Sequence, residues 1–459
     1  MQSRNITSLL IAVLVVTGSC ESFLGVDEPK SKVSRQTVFS DDFTATSSIT
    51  GIYSSWMANA NSFVSGGAAS LTGLTGLSAD ELKHYDKDQS FLDFEAGTVT
   101  QTNPKILAIW GSAYNTIYQA NAVLEGLASS PSVSGNVRSQ LTGEALFIRA
   151  FAHFYLINVF GDTPLITSTD FRENSIKPRT DVEEVYNRIE EDLVQATTLL
   201  VPEYPTGNNV RPNLYTAYAL LAEVYLYRED WLSAEEVASI IIESGKYSLA
   251  EDLNRVFLAS SNTEAIWQLL PVRPAINTYE GLHFLQISAL GLYNKLSPGF
   301  IDAFEAGDQR RVDWVGTSSG VWFPTKYKIR ENLTVTEHKV VFRLAEQYLI
   351  RAEARAHLNN LSGSIADLDV VRSRAMLPRI QDTNPGVVEA DLLALIEQER
   401  RVELFTEMCH RWFDLKRLRR ADDVLGISKA GWTSDDLLYP VPLSEITKNP
   451  NLTPQNPGY

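Results

Sequence analysis

The stretch that decides the fold is "AYALLAEVYLYREDWLSAEEVASII", Ala217 to Ile241. Apolar residues recur at intervals of three and four, and a short polar turn, Arg228-Glu229-Asp230, separates two such runs. That is the periodicity of two amphipathic helices joined by a tight turn. A second stretch repeats the plan: "QYLIRAEARAHLNNLSGSIADLDVVRSRA", Gln347 to Ala375. Each first helix carries Ala-Glu, at Ala222-Glu223 and Ala352-Glu353, and each second helix has a small residue near its start, Ala234 and Ala366. Small residues at these spacings let paired helices approach closely, and Tyr218, Tyr225 and Trp231 are placed to fill the gaps between neighbouring pairs.

Two copies of such a unit, degenerate and far apart in the chain, are the signature of tetratricopeptide-like helix pairs. The expected fold class is mostly α, a helix-pair scaffold with an irregular loop-rich lobe and a few short strands. Other segments agree. Ser40, Asp41 and Asp42 are candidate caps for a helix whose stripe is Ile49, Ile52, Tyr53 and Trp56. The stripe Trp110, Tyr114, Ile117, Asn121, Leu124 is helical with one amide inside it, read here as a structural bridge between helices. "GEALFIRAFAHFYLINVF" reads as a strongly apolar helix ending near Gly161, and Thr180-Asp181 as caps for an amphipathic helix reaching Leu200.

Residues 250–340 differ, with short strand-like runs such as Glu264–Val272 and Val321–Ile329 set among Gly, Pro and polar residues. Residues 59–104 are likewise rich in Ser, Gly, Thr and Asn. Long irregular insertions in a helical scaffold are uncommon unless they carry function. Binding sites combine aromatic faces with a few hydrogen-bonding groups around them. The candidate ligand-binding residues are therefore Tyr85, Tyr279, Tyr293, Trp314 and Trp322, interleaved with Asp86, Asp88, Asn277, Arg310 and Lys326. Trp267 reads as core.

At the N-terminus, Leu9 to Val16 is a run of eight apolar residues behind Arg4. A membrane span needs roughly 20, so the run reads as an export signal. Thr17-Gly18-Ser19-Cys20 resembles a lipobox, which makes Cys20 the lipidation site, residues 1–19 the signal and residues 20–40 a polar tether. The other cysteine, Cys409, lies in a helical-looking segment and gives no disulfide framework. Removing residues 1–19, which carry one base and no acid, takes the formal charge from −16 to −17. Such acidity disfavours nucleic acid and a polybasic membrane patch, leaving lipid as the membrane contact.

Catalytic and metal signatures are weak. Glu399, Glu403, Glu407 and Arg411 fall at helical i,i+4 spacing in "ERRVELFTEMCHRWFDLKRLRR", and are read as structural ion pairing with Glu407 facing Arg411. "GTSSG", Gly316 to Gly320, formally matches a nucleophile elbow, yet a strand and proline follow where that motif requires a helix. Six histidines show no metal-ligand spacing. No catalytic residue, metal ligand or cofactor is assigned.

Taken in order, "CESFLGVDEP", "WGSAYNTIYQAN", "GEALFIRAFAHFYLINVFGDTPLI", "AEVYLYREDWLSAEE", "SGKYSL", "AGDQRR", "FRLAEQYLIRAEARAHLN", "ERRVELFTEMCHRWFDLKRL" and "YPVPLSEITKNPNLTPQNPGY" resemble the SusD/RagB family of outer-membrane nutrient-binding lipoproteins. The chain departs from that pattern at Gly25, where Asp is frequent, at Cys409, where Gly is usual, and at Thr17 in the lipobox. The resemblance implies residues 41–249 as an N-terminal part with helix pairs and 250–459 as a C-terminal part with the irregular lobe. It also implies a non-enzymatic, lipid-anchored cell-surface protein that captures a glycan, or in some members a peptide, for a SusC-like TonB-dependent transporter. A lipid-anchored glycosidase is the alternative from another class.

Overall fold

The computed structural model describes residues 34–260, 262–285 and 294–459. The signal, Cys20, most of the tether and Tyr293 lie outside the described residues. Ten helices build the scaffold: α1 (Asp42–Ala58), α2 (Pro104–Ser129), α3 (Gly135–Phe160), α4 (Val182–Leu199), α5 (Leu214–Tyr227), α6 (Trp231–Glu243), α7 (Leu344–His357), α8 (Leu361–Arg374), α9 (Glu389–Glu403) and α10 (His410–Arg417). The start signals act as the sequence suggests: the Asp41 carboxylate accepts the Thr44 N–H and the Asp181 carboxylate the Glu183 N–H.

Consecutive helices from α2 to α8 pack side by side. The two related units, α5–α6 and α7–α8, are adjacent in space although residues 244–343 separate them, because α6 lies against α7. Trp231 fills that junction, its ring stacked 3.9 Å from the His357 ring. Helix α3 is buried nearly all round from Leu141 to Phe160, as a helix apolar on every face must be. Asn121 on α2 bridges as expected. Its amide donates to the Ile166 carbonyl (3.1 Å) and its oxygen accepts from Arg149 (2.8 Å), which in turn grips Asp192 of α4.

Shorter helices and three two-stranded antiparallel pairs accompany the scaffold among the described residues: β1 (Leu82–His84) with β3 (Asn294–Leu296), β2 (Ala265–Leu269) with β6 (Lys339–Arg343), and β4 (Val315–Ser318) with β5 (Val321–Pro324). The β2–β6 ribbon is fully buried, and Trp267 packs edge-on against Phe147 (5.1 Å) and Phe151 (5.7 Å) of α3. One hydrophobic core thus runs from Phe39 to Leu452 through both expected parts of the chain. In the "GTSSG" stretch, β4 turns into β5 through Ser319 and Gly320, both at positive φ, which suits a two-residue hairpin and leaves no elbow.

One expectation needs correction. Glu399, Glu403, Glu407 and Arg411 do not share a helix: α9 ends at Glu403, and Thr406, Met408 and Cys409 all take positive φ before α10 begins. Cys409, at φ 71°, occupies a left-handed position that glycine fills without steric cost. Glu407 and Arg411 therefore part company. Arg411 pairs with Asp80 (2.7 Å) and Glu397 (3.2 Å), while Glu407 accepts from Arg343 and Lys326.

Candidate functional site: an aromatic face on the irregular lobe

Strand β1 is pinned by His84, whose ring stacks 4.5 Å from Phe91 and hydrogen-bonds Asn294 across the ribbon. With Leu82 and His84 inward, alternation ends the strand and Tyr85 emerges 41% exposed. The Lys295 ammonium sits 5.7 Å from the centre of its ring. Strand β5 lies beside β3 and carries Trp322, half-buried, with the Arg311 guanidinium 4.1 Å from its ring centre. Cations over aromatic faces are attracted by the ring quadrupole and hold the rings in place. Asp86, Lys87 and Asp88 are exposed beside Tyr85, so the lobe presents aromatic surface among charged, hydrogen-bonding groups.

The other candidates divide differently. Trp314 is fully buried, its indole N–H donating to the Leu253 carbonyl (3.1 Å), and Tyr279 is 1% exposed in the main core. Neither ring offers a face to a ligand, which corrects the expectation for both. Their supposed polar companions are internal too. Asn277 bridges the backbone of residues 332–337, and Arg310 and Lys326 are buried among ions. The residues that sequence reasoning missed are Arg311 and Lys295. Arg311 adjoins Arg310 on a single helical turn, where neighbours point about 100° apart, so one arginine is buried while the next reaches Trp322.

Beneath this face lies a buried ionic network. Glu403 receives Arg310, Arg343 and Arg374; Glu399 receives Arg310 (2.6 Å) and Arg372 (3.2 Å); Glu264 receives Arg343 (2.8 Å) and Arg374 (2.6 Å). Burial alone would raise the Glu403 carboxyl, but Arg374, Arg343 and Arg310 overcome it and hold it well below the usual range. Glu407 is held at about 2 against burial by Arg343 and Lys326, while burial brings Lys326 down to about 8 despite Glu407. Trp314 is packed by these cations, with Lys326 4.7 Å from its ring. The carboxylates are bound up in structural pairing, and the lobe is stapled to α8 and α9 by it.

Among the described residues, Glu223, Glu346 and His410 bring ligand-type atoms within 4.8 Å of one another, a grouping no sequence spacing announces. Each His410 ring nitrogen faces a different carboxylate, at 4.0 and 3.9 Å, and the Arg400 charge acts on both carboxylates. Burial takes His410 down to about 3 and pushes both the Glu223 and Glu346 carboxyls up, with Glu346 adding to the shift on Glu223.

Stacked helix pairs carry a loop-built lobe, with Tyr85 and Trp322 accessible among charged side chains and a buried ion network behind them. Known proteins share this architecture. Residues 23–226 match the SusD-like family described as "Starch-binding associating with outer membrane", and residues 304–459 match the SusD family. The chain belongs to the SusD/RagB family. It is similar to SusD-like protein P25 of Formosa agariphila, at 24% identity over 97% of this chain and 98% of the relative. Among solved structures, a SusD superfamily protein from Bacteroides vulgatus superposes with a TM-score of 0.79 at 22% identity, covering 92% of this chain and all of the other. A structure titled "Laminarin binding SusD-like protein" superposes with a TM-score of 0.75 at 23% identity over 92% of this chain and 100% of that one.

Proposed function

We propose that this protein is a cell-surface lipoprotein that captures an oligosaccharide or polysaccharide and delivers it to a SusC-like TonB-dependent transporter in the outer membrane. The observation that carries the reading is that Tyr85 of the earlier insertion and Trp322 of the irregular lobe are accessible aromatics on neighbouring ribbons of a SusD/RagB fold, each with a cation at its ring, Lys295 and Arg311. Aromatic faces take the apolar C–H side of a pyranose, and the surrounding charged groups take its hydroxyls. Tyr293, the residue before β3 in sequence, remains a proposed contact. The similarity to a laminarin-binding protein supports glycan as the cargo class.

Anchoring is assigned to Cys20. Two or three acyl chains hold a protein durably, since each buried methylene contributes about 0.8 kcal/mol. No described helix is long and apolar enough to cross a membrane. The protein binds without cleaving. The test is affinity electrophoresis against a glycan panel that includes laminarin, with reducing ends assayed in parallel. Retardation without new reducing ends is expected. Release of reducing ends selects the glycosidase alternative, and no retardation on any glycan selects peptide cargo.

A further inference from the structure

Away from the lobe, α2 and the chain segments around residues 164–175 and 445–452 enclose an open groove of about 410 Å³, lined by Trp110, Tyr114, Tyr118, Pro164, Phe171 and Lys448 among others. Its aromatic wall is left uncovered: Tyr118 is 53% and Phe171 74% exposed. Apolar surface gains about 25 cal/mol per Å² when it leaves water, so such a groove favours an apolar occupant. The chain itself supplies one at the groove's rim. The Arg35 guanidinium donates to the Thr169 hydroxyl (3.1 Å) and pairs with Glu125 (2.8 Å), and Thr169 is a groove-lining residue. The described structure therefore starts, at Ser34, beside this groove.

The residues just before it read "ESFLGVDEPKSKV", Glu21 to Val33, with an apolar group Phe23-Leu24-Gly25-Val26 followed by Asp27-Glu28. Seven residues lie between Val26 and Ser34, eight steps that at about 3.3 Å each reach roughly 26 Å, ample for a groove that begins at the chain's point of entry. The family match begins at residue 23, so these residues belong to the domain's own pattern and not to a spacer outside it. On the groove wall Lys448 and Glu445 pair with each other (2.7 Å), so the apolar residues of the segment are what the groove takes.

We propose that Phe23 to Val26 dock into the Trp110–Tyr118–Phe171 groove, so that the chain's own N-terminal segment is the groove's partner. The docked segment leaves only residues 20–22 between the body and the lipid at Cys20. That fixes which face of the molecule stands toward the membrane: the face formed by α2 and the C-terminal helix Leu443–Lys448. This orientation rests on the anchor reading, whereas the docking does not.

The test is a cross-link in the full chain, with Cys20→Ser in every variant so that lipid attachment plays no part. Leu24→Cys is combined either with Tyr118→Cys in the groove or with Phe43→Cys, an 81% exposed position on α1 close to the chain's entry. Cys409 is buried with its thiol pushed up to about 12, so it does not compete. Under mild oxidation the Tyr118 pair is expected to link at least tenfold faster than the Phe43 pair; equal or slower linking overturns the proposal. As a second readout, trypsin cleavage at Lys30 and Lys32 is expected to accelerate at least fivefold in Tyr118→Ala/Phe171→Ala. An unchanged rate also overturns it, whatever the protein's glycan binding.

Discussion

The helix-pair scaffold and the irregular lobe differ in the balance of apolar packing and buried charge that holds them. Around α3 a cluster of aromatic rings, Trp56, Phe147, Phe151, Trp267 and Phe342, dominates, with the ion pairs Arg149–Asp192 and Arg211–Glu144 set beside it. The lobe is fastened by buried charge, with Arg310, Arg343 and Arg374 converging on Glu403 from positions 93, 60 and 29 residues away in sequence. Apolar packing is tolerant of register and repeats along a chain. A buried ion network is specific, because each charge left without its partner carries a large desolvation cost. The lobe can thus expose its aromatic rings to solvent without depending on them for its position.

If that contrast is right, the largest effect comes from breaking the network. Glu403→Ala takes one carboxylate partner from each of three buried guanidinium groups and is expected to cost about 3–5 kcal/mol in urea unfolding at pH 7. A cost below about 1 kcal/mol would mean the lobe is held by something else. Next comes pH. Glu407 has its folded pKa near 2, below the ordinary 4.5, so its contribution is present above about 4.5 and is lost as pH falls toward 2. That loss amounts to roughly 3 kcal/mol, and unfolding curves at pH 7, 4 and 3 should show wild type weakening in that window while Glu407→Gln weakens less.

Burial takes Glu81 the other way, up to about 8, with Asp80 adding to it. Its folded form keeps a proton the unfolded chain releases, so it costs stability as pH rises from about 4.5 to 8. Glu81→Gln is expected to gain stability at pH 8 relative to wild type and little at pH 4, read from melting temperatures at the two values. In the scaffold, Trp231→Ala removes one stacked ring from the α6–α7 junction and is expected to cost about 1 kcal/mol. Smallest of all, Trp322→Ala on the lobe's surface is expected within about 0.5 kcal/mol of wild type in stability.

The same contrast explains what could be read from the sequence. Ala222, Glu223, Ala352 and Glu353 and the aromatics between them mark helix pairs because helical packing is periodic, and Trp267 reads as core because it sits in an uninterrupted apolar run. The end of α9 was hidden, since "VELFTEMCH" contains neither glycine nor proline and its helical spacing continues across the break. Trp314 was misplaced for a related reason. It stands in an irregular stretch, yet its burial is set by Lys326, Arg343 and Arg374, which no local pattern connects to it. Tyr85 and Trp322 stay accessible in the structure, but Lys295 and Arg311 became visible only once strand pairing and helix phase were known.

The account depends on the lobe's aromatics serving a ligand and not the fold. Affinity electrophoresis of Tyr85→Ala/Trp322→Ala beside wild type, on whichever glycan retards wild type, tests this directly when paired with a melting curve. The expected result is at least a tenfold loss of affinity with melting unchanged. Undiminished retardation, or a loss of binding that merely follows unfolding, would contradict it.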